Sequence, residues 1–302
     1  MNFKQLEAFL WVAELQSFTK ASRQLFMSQP AVSFQIKALE ENLKVVLFER
    51  GDKKVMLTEA GRLLYPEAKQ MLRHYNKIKA GLDELKGLKK GSLTIGASTI
   101  PGEYVLPLLI GSFKEKYPGI KIALKVSGSG QVARWIKERE IDLGITGRPF
   151  IGEDIECTPW IEDQLILIVH PSHKWAGKMK ITPPCLKDEL MILREEGSGT
   201  RKTIEQKLSD HNVKFEKIGM ELGSTRAVIT AVEAGLGAGF VSSCAAREAL
   251  ELGKVKEVFV EGMDLKRHLY QVRHKQGFAG FAIDAFTSFI NQSEILKGFL
   301  PC

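Results

Sequence analysis

The run FTKASRQLFMSQPAVSFQIKALEENL, residues 18–43, settles how the N-terminal third is built. Ser17 stands just before it as a candidate N-cap. Ala21 and Leu25 share one face of a short helix, and Phe26-Met27 makes a tight turn. Ser28 can cap a longer helix, with Pro30 in its first turn, where a missing N–H costs little. On that helix Val32, Ile36, Leu39 and Leu43 form an inward stripe, while Gln29, Ser33 and Lys37 line up at i, i+4 and i+8 on another face. An apolar seam that leaves short polar side chains projecting is the layout of a helix that reads base edges. A solvated face of a small bundle has the same pattern, so the flanks decide. Upstream, Phe3, Leu6, Leu10 and Ala13 recur at helical spacing. Downstream, LFER (47–50), Gly51-Asp52-Lys53-Lys54 and VMLT (55–58) read as a β-hairpin with two lysines at its tip. Three helices and a basic hairpin make a winged helix-turn-helix.

With FTKASRQLFMSQPAVSFQIKALEENL, LFER and LTEAGRLL in place, residues 3–66 resemble the DNA-binding segment of the LysR-type transcriptional regulator family. The resemblance implies a DNA-binding protein whose candidate contacts are Thr19, Ser28, Gln29, Pro30, Ser33, Phe34, Lys37, Lys53 and Lys54. Gln29, Ser33 and Lys37 are expected in the major groove, and Lys53 and Lys54 on the backbone or minor groove. Three positions depart from the family's usual pattern. Ser22 replaces a small alanine, Phe34 stands where a basic residue is common, and Lys44 replaces a glycine after the helix. An aromatic at position 34 can touch thymine methyls.

Thr58 can cap one long helix, and Glu59 suits its positive end. Leu64, Ala68, Met71, Tyr75, Ile78, Leu82 and Leu85 follow at steps of four and three, a heptad seam that argues for a helix–helix pair between subunits. Pro66 should bend the helix near its start. The resemblance implies the same dimerising linker helix. Lys86 to Gly91 is a plausible hinge.

Beyond it the pattern changes to alternating β and α segments: LTIGA (93–97), KIALKV (121–126), IDLGIT (141–146) and QLILIVH (164–170) look like short buried strands. That alternation argues for an α/β fold with largely parallel sheets. Hydroxyls and glycines gather at strand-to-helix junctions: Ser98-Thr99, Ser127 to Gly130, Thr146-Gly147, Gly197 to Arg201, and Ser224. Any one such residue is more often a helix cap, but five junctions together suggest a small-ligand cleft attractive to anions, with Arg201 as a counter-charge. The resemblance implies an effector domain like the type II periplasmic binding proteins, with two α/β subdomains joined by crossings near 162–170 and 264–274. Its pocket would be built from Ser98, Thr99, Ile100, Ser129, Thr146, Ser198, Gly199, Thr200 and Arg201. The fold class expected is therefore α/β and multi-domain. Residues 1–57 form the winged helix-turn-helix, 58–88 the linker helix, and 92–302 the effector domain. Within the last, 92–161 with 269–302 and 162–268 form the two subdomains.

Composition limits the alternatives. Of 302 residues, 44% are hydrophobic and 26% charged, ordinary for a globular protein. Residues 1–90 hold 16 basic and 10 acidic side chains, so +6 of the net +7 sits in that third, as a polyanion-binding module would have it. No apolar run reaches the ~18 residues of a membrane span. Four scattered cysteines and the absence of an export signal point to a cytoplasmic protein. The six histidines hold no metal-ligand spacing, and His170-Pro-Ser-His173 reads as a solvated turn. Gly235-Leu-Gly-Ala-Gly239 lacks dinucleotide-loop spacing and reads as a turn into a strand. An enzyme is disfavoured, and no cofactor is expected beyond a small anionic effector. The expected partners are double-stranded DNA, a second or further copies of the chain (homodimer or homotetramer), the effector and RNA polymerase, with no membrane. The competing reading is a small-molecule binding protein whose basic N-terminal zone serves mainly assembly.

Overall fold

The computed structural model describes residues 1–50, 55–85, 91–276 and 280–292. It divides into two compact units, Met1–Gly87 and Leu88–Cys302.

The first unit runs α1 (Phe3–Leu15), α2 (Phe18–Gln24), α3 (Gln29–Leu43), β1 (Phe48–Arg50), β2 (Val55–Leu57) and α4 (Glu59–Leu85). Each helix starts where the sequence offers a cap. Asn2 and Gln5 form a reciprocal capping box on α1, while Ser17 accepts from Lys20 N, Ser28 from Ala31 N, and Thr58 from Gly61 N. α2 stops in a Schellman arrangement: Met27 N donates to Ser22 O, Phe26 N to Arg23 O, and Phe26 takes the left-handed conformation at φ +54°. Lys44 ends α3 the same way at φ +56°, so a lysine adopts the backbone shape a glycine would supply. Leu6, Phe9, Val12, Ala21, Val32, Ile36, Leu39, Leu47 and Phe48 are buried together, each large side chain contributing about 1.5–3 kcal/mol. Leu43, expected in that stripe, is 37% exposed, because α3 has run past its neighbours by its last turn. β1 and β2 pair antiparallel, Phe48 opposite Leu57, giving the wing its stem. Gly61 lets α4 begin against this hairpin, since a Cβ there would sit 2.3 Å from the Leu47 carbonyl oxygen.

The second unit contains β3 (Gly91–Ala97), a short π-helical turn (Pro101–Val105), α5 (Leu106–Lys116), β4 (Ile120–Val126), α6 (Ser129–Lys137), β5 (Leu143–Thr146) and β6 (Ile155–Val169). It continues through β7 (Lys180–Ile181), β8 (Leu190–Arg194), α7 (Gly199–Asp210), β9 (Lys217–Leu222) and α8 (Thr225–Glu233). β10 (Ala238–Ser242), α9 (Ser243–Glu251), β11 (Lys256–Val260), β12 (Lys266–His274) and α10 (Phe281–Ile290) complete it. β4-β3-β5 and β9-β8-β10 are parallel sets. Antiparallel strands join them. Positions 155–164 of β6 pair with β12, which borders β5, and positions 165–169 pair with β10 and β11. One strand thus serves both sheets. Leu93, Ile95, Phe113 and Phe286 fill the core on the first; Leu167, Met191 and Phe240 lie on one face of the second, with Ile168, Val228 and Val241 on the other. The 235–239 glycines do form a turn, at φ +75° and +155°, into β10. The 170–173 turn is only partly solvated: His173 is mostly buried, 3.3 Å from Glu189 and edge-on to Trp175.

Candidate functional sites

The outward face of α3 is wider than the row read in sequence. Helical spacing puts Pro30, Phe34, Lys37 and Glu41 opposite the buried Val32, Ile36 and Leu39, with Gln29 and Ser33 on the flank. Gln29 Nε2 donates to Ser33 Oγ at 3.3 Å, and Lys37 lies 3.8 Å from Glu41. Thr19 is exposed on α2, its carbonyl accepting the buried Ser22 hydroxyl at 2.9 Å, so the polar substitution at 22 is satisfied locally. Ser28 spends its oxygen on the cap of α3. Lys53 and Lys54 lie outside the described residues, as does the proposed hinge at 86–90.

The heptad row on α4 divides in two. Ala68 is fully buried and Leu64 partly so in the first unit's own core, because this end of α4 packs on α1. Tyr75 stacks on Phe3 at 4.3 Å between ring centroids. Met71, Ile78 and Leu82 are exposed; the Leu85 side chain is outside the described set. The helix continues unbroken through Pro66.

In the second unit a cavity of about 270 Å³ opens at the carboxyl ends of the parallel strands. Ser98, Thr99 and Ile100 line it after β3, Gly128 to Gly130 at the start of α6, Gly147 and Arg148 after β5, and Arg194 to Thr200 between β8 and α7. Arg267 of β12 completes it. Both helices that start here, α6 and α7, lack a side-chain cap, although Ser198 occupies the N-cap position of α7. Their first N–H groups are therefore available to an anion, with the helix dipoles favouring negative charge. Ser224, by contrast, is used up as the cap of α8.

Three arginines carry the charge. Arg267, 6% exposed, gives Nε and Nη2 to Asp163 of β6 at 2.8 and 2.7 Å and Nη1 to Thr200 Oγ1 at 3.2 Å. Asp163 also accepts from Ser242. Arg194 pairs with Glu195 at 2.7 Å and donates to Thr225. Arg148 lies 4.7 Å from the Phe150 ring centroid, and its buried Nε has no hydrogen-bond partner. None of the three was singled out from sequence. Arg148 follows a flagged junction by one residue, but Arg267 is far from Thr200 along the chain and has no local signal.

Two expected contributors stand apart. Thr146 is fully buried and gives its hydroxyl to Arg148 O at 2.9 Å, beneath the cavity wall. Arg201, mostly buried, donates to Glu205 at 2.8 Å, to Glu221 at 2.6 Å and to the Arg194 carbonyl at 3.0 Å; the bond to Glu205 is the chief cause of its raised pKa, with Glu221 adding to it against burial. It is neutralised before any ligand arrives. Ser98, Thr99, Ile100, Ser129, Ser198, Gly199 and Thr200 do meet at the cavity.

Comparison with known proteins follows the same division. Residues 3–62 match the model of bacterial regulatory helix-turn-helix proteins of the lysR family, and residues 86–294 match the LysR substrate binding domain. A probable RuBisCO transcriptional regulator from Cyanidioschyzon merolae is 38% identical over 288 residues, 94% of each chain. The crystal structure of full-length CbnR complexed with target DNA shares the fold at 22% identity, with TM-score 0.75, covering 97% of this chain and all of that one. The regulatory domain of Synechocystis PCC6803 CcmR in complex with 2-PG is 28% identical, with TM-score 0.63, covering 68% of this chain and 99% of that one.

Proposed function

The chain belongs to the LysR family of DNA-binding transcriptional regulators, and on that premise we propose that a small anionic metabolite held in the 270 Å³ cavity modulates its activity on DNA. The observation that carries this reading is the meeting, in one cavity, of two uncapped helix N-termini with Arg148, a cation that forms no ion pair among the described residues. Ser98, Ser129 and Thr200 add hydroxyls, so an anion finds donors from both sheets. The 2-PG bound by the CcmR regulatory domain makes a phosphorylated acid a sensible first candidate.

On this reading 1–57 is the DNA-binding domain, 58–88 the linker helix, and 92–302 the effector domain with subdomains 92–161 plus 269–302 and 162–268. Exposed Met71, Ile78 and Leu82 support assembly into a dimer or tetramer. RNA polymerase is the partner through which a regulator of transcription acts, the cytoplasm is its place of work, and no catalysis is required of it. The test is thermal stability of the full chain with 2-PG, inorganic phosphate and small carboxylates. A ligand at 100 times its Kd should add about 2.7 kcal/mol. Thr200→Val and Arg148→Met should each weaken that gain while leaving ligand-free DNA binding unchanged. Anions that stabilise neither the parent nor any variant, or stabilise all equally, would remove the proposal.

A further inference from the structure

Among the described residues five aromatic side chains are markedly exposed, and the two most exposed, Phe26 at 97% and Phe34 at 68%, lie in the turn before α3 and on α3 itself. Water contact at this level is unfavourable for a phenyl ring, so the rings earn no stability from packing. Phe26 is also held in the left-handed region at φ +54°, as the residue after the α2 cap. Glycine takes that conformation without steric cost, whereas a bulky side chain there is a true outlier. Gln16, Lys44, Arg139 and Asn212 take the same conformation with polar side chains, so it is the solvated ring at Phe26, where a polar side chain would serve the turn equally well, that points to a use elsewhere. Phe34 is the natural continuation: with Pro30 it forms the apolar part of α3's outward face, beside Lys37.

We propose that Phe26 and Phe34 form an apolar reading surface for the 5-methyl groups of thymines in the major groove. The inference rests on the reading of α3 as the helix that meets base edges. Thymine is the one base that presents a methyl group there, and apolar side chains, phenylalanine included, recognise it by burial. Polar Gln29 and Ser33 on the flank then supply hydrogen bonds, and the rings supply preference for T over C at the positions they cover.

The experiment selects a preferred duplex from a random pool with the full chain, then replaces its thymines one at a time by deoxyuridine. This change deletes the methyl and preserves every base-pair hydrogen bond. The parent should lose about fourfold in affinity at each contacted thymine and nothing at the others. Phe34→Ala should bind the thymine duplex correspondingly more weakly and become indifferent to deoxyuridine at the thymines it covers. Phe26→Gly should weaken DNA binding while its melting temperature stays level or rises, an outcome that a purely structural role would not produce. Equal affinity of the parent for every deoxyuridine duplex overturns the proposal, as does a Phe34→Ala variant that keeps the whole deoxyuridine penalty. A pool that yields no enriched sequence would instead remove the base-reading role of α3, and the proposal with it.

Discussion

Replacing Asp163 by alanine tests the buried charge at the junction of the two sheets. Asp163 and Arg267 are 5% and 6% exposed and sit on β6 and β12, the antiparallel pair that ties the sheets together. Removing the carboxylate strands a buried guanidinium, whose Nε and Nη2 both lose their acceptor, and deprives the Ser242 hydroxyl of Asp163 Oδ1. Breaking such a pair from one side costs about 3–5 kcal/mol. With an m-value of about 3 kcal/mol/M, the urea midpoint of the second unit should fall by about 1–1.7 M. Tryptophan fluorescence of the full chain is a suitable probe, because Trp135, Trp160 and Trp175 lie in that unit and only Trp11 lies in the other. The decisive arm is Asp163→Ala combined with Arg267→Met. Removing both charges leaves a neutral, filled site, so the double variant should be more stable than Asp163→Ala alone. If it is less stable, the cost lies in lost packing, and the electrostatic account is wrong.

Ile78→Asp places a charge mid-way along the exposed part of the α4 row and should abolish self-association and tight operator binding, at a cost of several kcal/mol of pairing; light scattering that shows an unchanged oligomer would contradict it. Arg201→Ala removes a mostly buried guanidinium that joins Glu205, Glu221 and the Arg194 carbonyl, so stability should fall by about 1–3 kcal/mol while effector affinity measured by calorimetry is unchanged. Burial pushes the Glu189 carboxyl up, but Lys174 at 2.6 Å and His173 at 3.3 Å outweigh it, and the net shift is downward. The folded state therefore binds this proton less readily than the unfolded chain. Its contribution is present above the ordinary carboxylate pKa and is lost as pH falls through the lowered value. Glu189→Gln should flatten the acid limb of a stability–pH curve; an unaltered limb would show that other carboxylates set it.

The N-terminal unit was the legible part because its instructions are local. Ser17, Ser28 and Thr58 each cap the helix that their position announces, and the two strands read on either side of residues 51–54 do pair. The heptad row misled at its start because a 3.5 and a 3.6 period diverge too slowly to separate Leu64 and Ala68, which are core, from Met71 onward, which is surface. In the second unit the junctions were readable as places, while side-chain direction was not. Thr146 and Arg201 follow flagged glycine-rich or strand-end positions, yet the first bonds two residues on and the second turns to Glu205 and Glu221. Arg267 reaches the cavity by strand pairing across the whole unit, information carried by topology alone.

The charge arrangement also limits what the cavity can hold. Arg267 is compensated by Asp163 and Arg194 by Glu195, so these two orient hydrogen bonds more than they supply net attraction. Arg148 forms no ion pair among the described residues, and it is the one lining cation left to balance a ligand charge. Glu195 and Glu196 at the same rim oppose a large negative charge. A small anion whose remaining oxygens are met by the starts of α6 and α7 fits this balance, whereas a bulky polyanion would be desolvated without sufficient return. Because α6 belongs with the first sheet and α7 with the second, the proposed anion, bridging them, would bind best when the two approach. That difference in affinity between arrangements, typically ~1–3 kcal/mol, is the whole of the free energy available to a regulatory response.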